Sequence, residues 1–113
     1  MKTVLYHNPK CSTSRKAVDL LTEKGVDFEI VEYLKAGWDE ATLDRLAQKT
    51  GVGIKGLLRK REARTGELIE AGASDADIRA EMIANPVLVE RPIVETDKGA
   101  RIGRPLESVL EIL

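Results

Sequence analysis

The sequence predicts an α/β fold on a mixed sheet, in the order β-α-β, a helical block, then β-β-α. Three observations carry this expectation. Short β-branched and aliphatic runs stand near both ends of the chain, at 3–6 and 93–102. A further run with strand character covers 26–33, and apolar residues recur at helical spacing across the middle. The 113 residues suit one domain, 1–113, with a helical insertion at about 38–86 between strands 2 and 3.

Each element has a local reason. Thr3-Val4-Leu5-Tyr6 reads as a short buried strand. Residues 12–24 read as a helix with Ala17, Val18, Leu20 and Leu21 on one face, stopped by Gly25. Phe28, Ile30, Val31 and Tyr33 mark the second strand, and a strand-helix-strand unit predicts parallel pairing. Asp39 and Glu40 suit the first turn of a helix carrying Leu43, Leu46 and Ala47, ended by Gly51 and Gly53. Ile54 to Arg64 reads as a second, basic helix. Thr65-Gly66 and Gly72 mark loops. Ser74 to Asp77 supplies a non-ideal N-cap for a third helix with Ile78, Met82 and Ile83, stopped at Asn85-Pro86. Val87-Leu88-Val89 reads as extended. Ile93 to Thr96 and Ala100 to Gly103 form a hairpin around Asp97-Lys98-Gly99. Pro105 opens a last helix with Leu106, Val109, Leu110 and Leu113 facing inward.

Composition narrows the function classes. Hydrophobic residues at 42% and charged residues at 33% fit a globular protein, and a net charge of -1 gives no global field for nucleic acid or an anionic membrane. No run approaches the ~20 apolar residues of a membrane span. Met1-Lys2-Thr3-Val4 leads straight into a strand without a signal-peptide pattern. One cysteine excludes an intrachain disulfide and a cysteine-rich zinc site, and no metal ligand set is expected. The expected setting is a monomer in the cytoplasm, with no nucleic-acid or membrane partner.

That cysteine, Cys11, lies in Tyr6-His7-Asn8-Pro9-Lys10-Cys11-Ser12-Thr13-Ser14-Arg15, at a strand-to-helix turn. Exposed N–H groups and the dipole favour an anion there, which makes Cys11 a candidate reactive thiolate. Lowering a thiol by about two pH units from its usual ~8.5 needs about 2.7 kcal/mol of preference for the thiolate. A helix N-terminus supplies ~0.3–1 kcal/mol, at most ~2. Nearby cations or hydroxyls must add to it, and Ser12, Thr13, Ser14 and His7 are the local candidates. The residues alone also allow an inert cysteine filling a small gap.

Without the helical block, the element order is the thioredoxin/glutaredoxin arrangement, whose functional edge is the end of strand 1 and the start of helix 1. The Cys11 segment resembles the signature of the glutaredoxin-dependent arsenate reductase family. So do Leu57-Leu58-Arg59-Lys60, Glu90-Arg91-Pro92-Ile93-Val94, Arg101-Ile102-Gly103-Arg104-Pro105 and the closing Val109-Leu110-Glu111-Ile112-Leu113. The resemblance implies Cys11 as nucleophile and Arg59, Arg91 and Arg104 as the oxyanion-binding arginines. Guanidinium forks suit an oxyanion bidentately, where lysine gives charge without that geometry. It implies a supporting place for His7 near the thiol and a cis Pro92 facing it. It further implies arsenate as substrate, no bound cofactor, and glutathione followed by glutaredoxin as reductants; the lack of a second thiol by itself requires only that an external thiol resolve the adduct.

Other readings have sequence consequences too. A cysteine phosphatase loop needs Cys-x5-Arg; here Arg15 lies at Cys-x3-Arg and position 17 is Ala. A non-enzymatic regulatory module with an RNA polymerase-type partner would not use a Cys-x-x-Cys switch here, since Ser14 holds the second position. Intact arginines at 59, 91 and 104 weigh against it. The basic run Lys55 to Arg64 reads as a solvated helix face. Trp38 reads either as a partner surface or as a residue tucked under the helical block.

Overall fold

A computed structural model describes residues 2–113. Its elements are β1 (Thr3–His7), α1 (Ser12–Glu23), β2 (Phe28–Glu32), α2 (Tyr33–Ala36), α3 (Glu40–Thr50), α4 (Gly53–Gly56), α5 (Ala63–Glu70), α6 (Asp75–Ala84), β3 (Ile93–Thr96) and β4 (Gly99–Ile102). Two 3-10 segments, Pro86–Leu88 and Leu106–Ile112, complete them. The chain divides into two compact units. One joins the residues up to Ala36 with Arg91–Leu113, and the other is Gly37–Glu90.

The first unit is a four-stranded sheet in the order β2-β1-β3-β4. β1 and β2 are parallel, while β3 is antiparallel to both β1 and β4. This is the mixed sheet the sequence predicts. Leu5 and Val94 pair across β1 and β3 and pack with Ala17, Leu21, Val109 and Ile112 in one core cluster. Burial of these side chains is the main stabilising term, with each leucine, valine and isoleucine worth about 1.5–3 kcal/mol. α1 ends in a Schellman motif: Val26 N–H donates to the Leu21 carbonyl and Gly25 N–H to that of Thr22, with Gly25 at φ 69.

Two expectations in this unit change. β2 is shorter than 26–33, because Tyr33 turns into α2 and is buried there. The last helix buries Val109 and Ile112, while Leu110 is exposed. It is a 3-10 helix, in which residues three apart eclipse, so Leu106, Val109 and Ile112 share a face instead of the set with a 3.6-residue period. Its N-terminal flank carries a cis Arg104–Pro105 bond.

The second unit holds α3 to α6. Asp39 is the N-cap of α3 rather than a first-turn residue, accepting from Thr42 N–H at 2.7 Å. Ser74 caps α6 in the same way through Asp77 N–H at 3.1 Å. Trp38 is buried and its Nε1–H donates to the Pro86 carbonyl at 3.3 Å, so it offers no exposed partner surface. The helix expected over 54–64 does not form. Leu58 bridges Val89, Arg59 N–H donates to Leu88 O, and Glu90 N–H donates to Leu57 O, each hydrogen bond at 2.7 Å. These non-local bonds, with Leu57 and Leu58 buried, split the segment into α4 and α5. Thr65-Gly66 consequently lies inside α5, and Val87-Leu88 is a 3-10 turn with Val89 alone extended. Among the described residues, no helix is long and apolar enough to cross a membrane.

Candidate active site

Cys11 stands at the N-cap of α1 with extended backbone angles (φ -92, ψ 122). β1 delivers the chain to this point through the turn at Asn8–Lys10. Cys11 N–H donates to Asn8 O, and Lys10 N–H to Asn8 Oδ1, both at 3.0 Å. Arg15 braces the same turn through Nη1 to Pro9 O at 3.0 Å. The thiol is thereby fixed, half-buried, at the carboxyl end of a central strand.

Its titration reflects opposed causes. Burial pushes the Cys11 thiol up. The Ser14 N–H, then the Arg91 side chain by hydrogen bond and charge, then the Thr13 N–H all favour the thiolate, and together they bring it below its ordinary value. The helix start thus acts through the N–H groups of Ser14 and Thr13, with the Arg91 side chain adding to them from outside the helix. Ser12 is exposed at the opening of α1.

Two of the three expected arginines meet at the sulfur. Arg104 Nη2 lies 3.5 Å from Cys11 Sγ, while its Nε donates to the Arg91 carbonyl at 2.8 Å. Arg91 is the guanidinium acting on the thiolate. The Arg91–Pro92 bond is cis. Gly103 N–H donates to Pro92 O at 2.8 Å, and a Cβ at Gly103 would stand 2.9 Å from Pro92 Cγ. Glycine is what lets these two strand ends close on each other. Arg59 lies in the second unit, its side chain near Glu62 and Glu90 carboxylates at 3.4 Å each.

His7 bonds to Ser14 rather than to the thiol. Its Nδ1 is 2.7 Å from Ser14 Oγ, which also accepts the Asn8 N–H at 3.0 Å. With one lone pair taken by the Asn8 N–H, Oγ keeps a second lone pair and its own proton, so it can meet Nδ1 in either tautomer of His7. Burial lowers the His7 pKa, Glu32 opposes this, and Arg15 adds to the lowering. Ser14 is fully buried and links β1 to the first turn of α1.

Sequence reasoning passed over Glu95. It is fully buried in β3 and accepts from the Tyr6 hydroxyl at 2.9 Å. A carboxylate beside Val94 in an otherwise apolar and β-branched strand was the available signal. Among the described residues, no group of three or more His, Cys, Asp or Glu side chains is placed to hold a metal.

A family model described as the ArsC family matches residues 6–112. The chain belongs to the ArsC family. It is 47% identical to the uncharacterized protein YfgD of Escherichia coli, covering 96% of this chain and 94% of that one. It is 39% identical to the arsenate reductase ArsI2 of Synechocystis sp., covering 97% and 80%. The solved structure of an arsenate reductase from Vibrio cholerae superposes with a TM-score of 0.91 at 40% identity, covering 100% and 98%. The mixed sheet and its helices are thus the thioredoxin-like fold of the ArsC proteins.

Proposed function

We propose that this ArsC-family protein reduces arsenate to arsenite, with Cys11 as nucleophile and glutathione with glutaredoxin as the source of electrons. The observation that carries the reading is the Arg104–Cys11–Arg91 cluster at the start of α1, where one thiol favoured as thiolate faces two guanidinium groups. The relatives named as arsenate reductases support the choice of oxyanion.

In this reading arsenate sits against Arg91 and Arg104 beside the Cys11 thiolate. The Cys11 thiolate attacks arsenic; a sulfur–arsenic bond forms and one oxygen leaves, protonated, as water. The arginines stabilise the charge on the remaining oxygens as the bonds change. An outside thiolate then attacks sulfur. The sulfur–arsenic bond breaks with its electron pair staying on arsenic, which becomes As(III), and a disulfide forms. A further thiol restores Cys11. In sum, arsenate, two thiols and two protons give arsenite, one disulfide and water. Both thiols come from outside, since the chain holds no other cysteine.

The test is arsenate-dependent NADPH oxidation, run once with glutathione, glutaredoxin and glutathione reductase, and once with thioredoxin and thioredoxin reductase. Turnover with the first set is expected. Turnover with the second alone overturns the assignment of the donor, and turnover with neither overturns the reading of the activity.

A further inference from the structure

A cleft beside the Asn8–Lys10 turn, in the same unit as Cys11, is lined by neither Arg91 nor Arg104. It is a cavity of about 210 Å³ lined by Asn8, Pro9, Lys10, Glu32, Leu34 and Lys35. The walls are chemically mixed. Pro9 and Leu34 give apolar surface, and Leu34 is 44% exposed. Lys10 and Lys35 carry ammonium groups. Glu32 adds one carboxylate, 3.8 Å from Lys35 Nζ, with the Lys35 side chain 82% exposed. A pair that open to solvent holds its partners weakly, so both groups are available to a ligand.

The cleft is also tied to the thiol. The turn that forms one wall runs directly into Cys11 and is fixed by the three hydrogen bonds to Asn8 and Pro9 described above. The opposite wall runs from Glu32, the last residue of β2, to Lys35, and the pairing of β1 with β2 sets Glu32 beside His7. A ligand seated here contacts Lys10, the residue that precedes Cys11 in the chain.

We infer that this cleft binds the peptide part of the thiol co-substrate: a small peptide thiol with carboxylates and an amino group, of which glutathione is the example. The inference rests on the proposed reading that an outside thiol resolves the Cys11 adduct. Lys10 and Lys35 meet the ligand's carboxylates, Glu32 meets its ammonium, and Pro9 and Leu34 cover its methylenes. The volume suits an arm of a tripeptide and not a protein surface. The cleft contributes binding and orientation only; the bond changes are those already written for Cys11.

The experiment titrates S-methylglutathione, which has no free thiol, into the protein while backbone amide resonances are followed. Saturable shifts at residues 8–10 and 32–35 are expected, with affinity about fivefold weaker in Lys35→Glu and retained in Lys35→Arg. This readout needs no turnover of arsenate, so it separates the cleft from the enzymatic reading. No shifts, shifts confined to other elements, or equal affinity in Lys35→Glu overturn the inference even for an active enzyme. In turnover, Lys35→Glu raises the KM for glutathione by a similar factor; an unchanged value overturns it as well.

Discussion

Arg104 reaches across to Cys11 while holding the backbone of Arg91: Nη2 stands 3.5 Å from the sulfur and Nε donates to the Arg91 carbonyl at 2.8 Å. One side chain therefore ties the thiol to the Arg91 backbone, and removing it loses both contacts. Arg104→Ala is expected to lower kcat/KM for arsenate by about 10²-fold or more, as for loss of one anion-stabilising donor. Steady-state kinetics on the folded variant check this.

The Arg91 guanidinium favours the thiolate of Cys11 by hydrogen bond and charge. The sign follows directly. The thiol titrates below its ordinary value, so the reactive thiolate persists as pH falls and is lost only when pH drops through the lowered value. Arg91→Ala moves that loss to higher pH. The rate of Cys11 alkylation as a function of pH reads the midpoint: below the ordinary thiol value in the natural protein and higher in the variant.

Gly103 has no room for a side chain against Pro92. A Cβ there would lie 2.9 Å from Pro92 Cγ, part of a ring that cannot swing aside. Gly103→Ala should cost about 1–3 kcal/mol of stability, as overpacking does, measured by urea unfolding. It should also reduce activity, because Pro92 follows Arg91.

Ser14 Oγ serves His7 Nδ1 and the Asn8 N–H at once. Ser14→Ala leaves two polar groups without that partner, and about 1–3 kcal/mol should be lost. His7 adds a pH dependence. Its pKa is lowered by burial, so at acid pH the unfolded chain binds the proton that the folded one resists. Stability then falls as pH drops below the unfolded value of ~6.5, and rises toward neutrality. His7→Gln should flatten that part of the stability–pH curve.

The parts of the fold legible in the sequence are those with local causes. Gly25 ends α1 because a left-handed residue closes its last turn, and Asp39 and Ser74 cap their helices through their own side chains. What was not legible has non-local causes. The segment Ile54 to Arg64 has a helical pattern, but the Leu57 carbonyl accepts from Glu90 N–H and the Arg59 N–H donates to Leu88 O, on either side of the Leu58–Val89 bridge. The last helix winds as 3-10, which moves Ile112 inside and Leu110 out.

The candidate site divides along the same line. Cys11 at a helix start can be read from Thr3 to Leu21 alone. That Arg91 and Arg104 gather at it follows from the β3–β4 hairpin, where Ile93 pairs with Ile102. Only the motif resemblance pointed to those arginines in advance. The Gly103–Pro92 contact and the Tyr6–Glu95 hydrogen bond depend on packing, and nothing in the spacing marks them.

The central claim is that a single thiolate, Cys11, reduces arsenate with outside thiols. The most direct measurement is arsenite formed from arsenate in the presence of glutathione and glutaredoxin, comparing the natural protein with Cys11→Ser. The account predicts arsenite from the natural protein, one disulfide per arsenite, and none above background from the variant. Equal arsenite from a folded Cys11→Ser protein would contradict it.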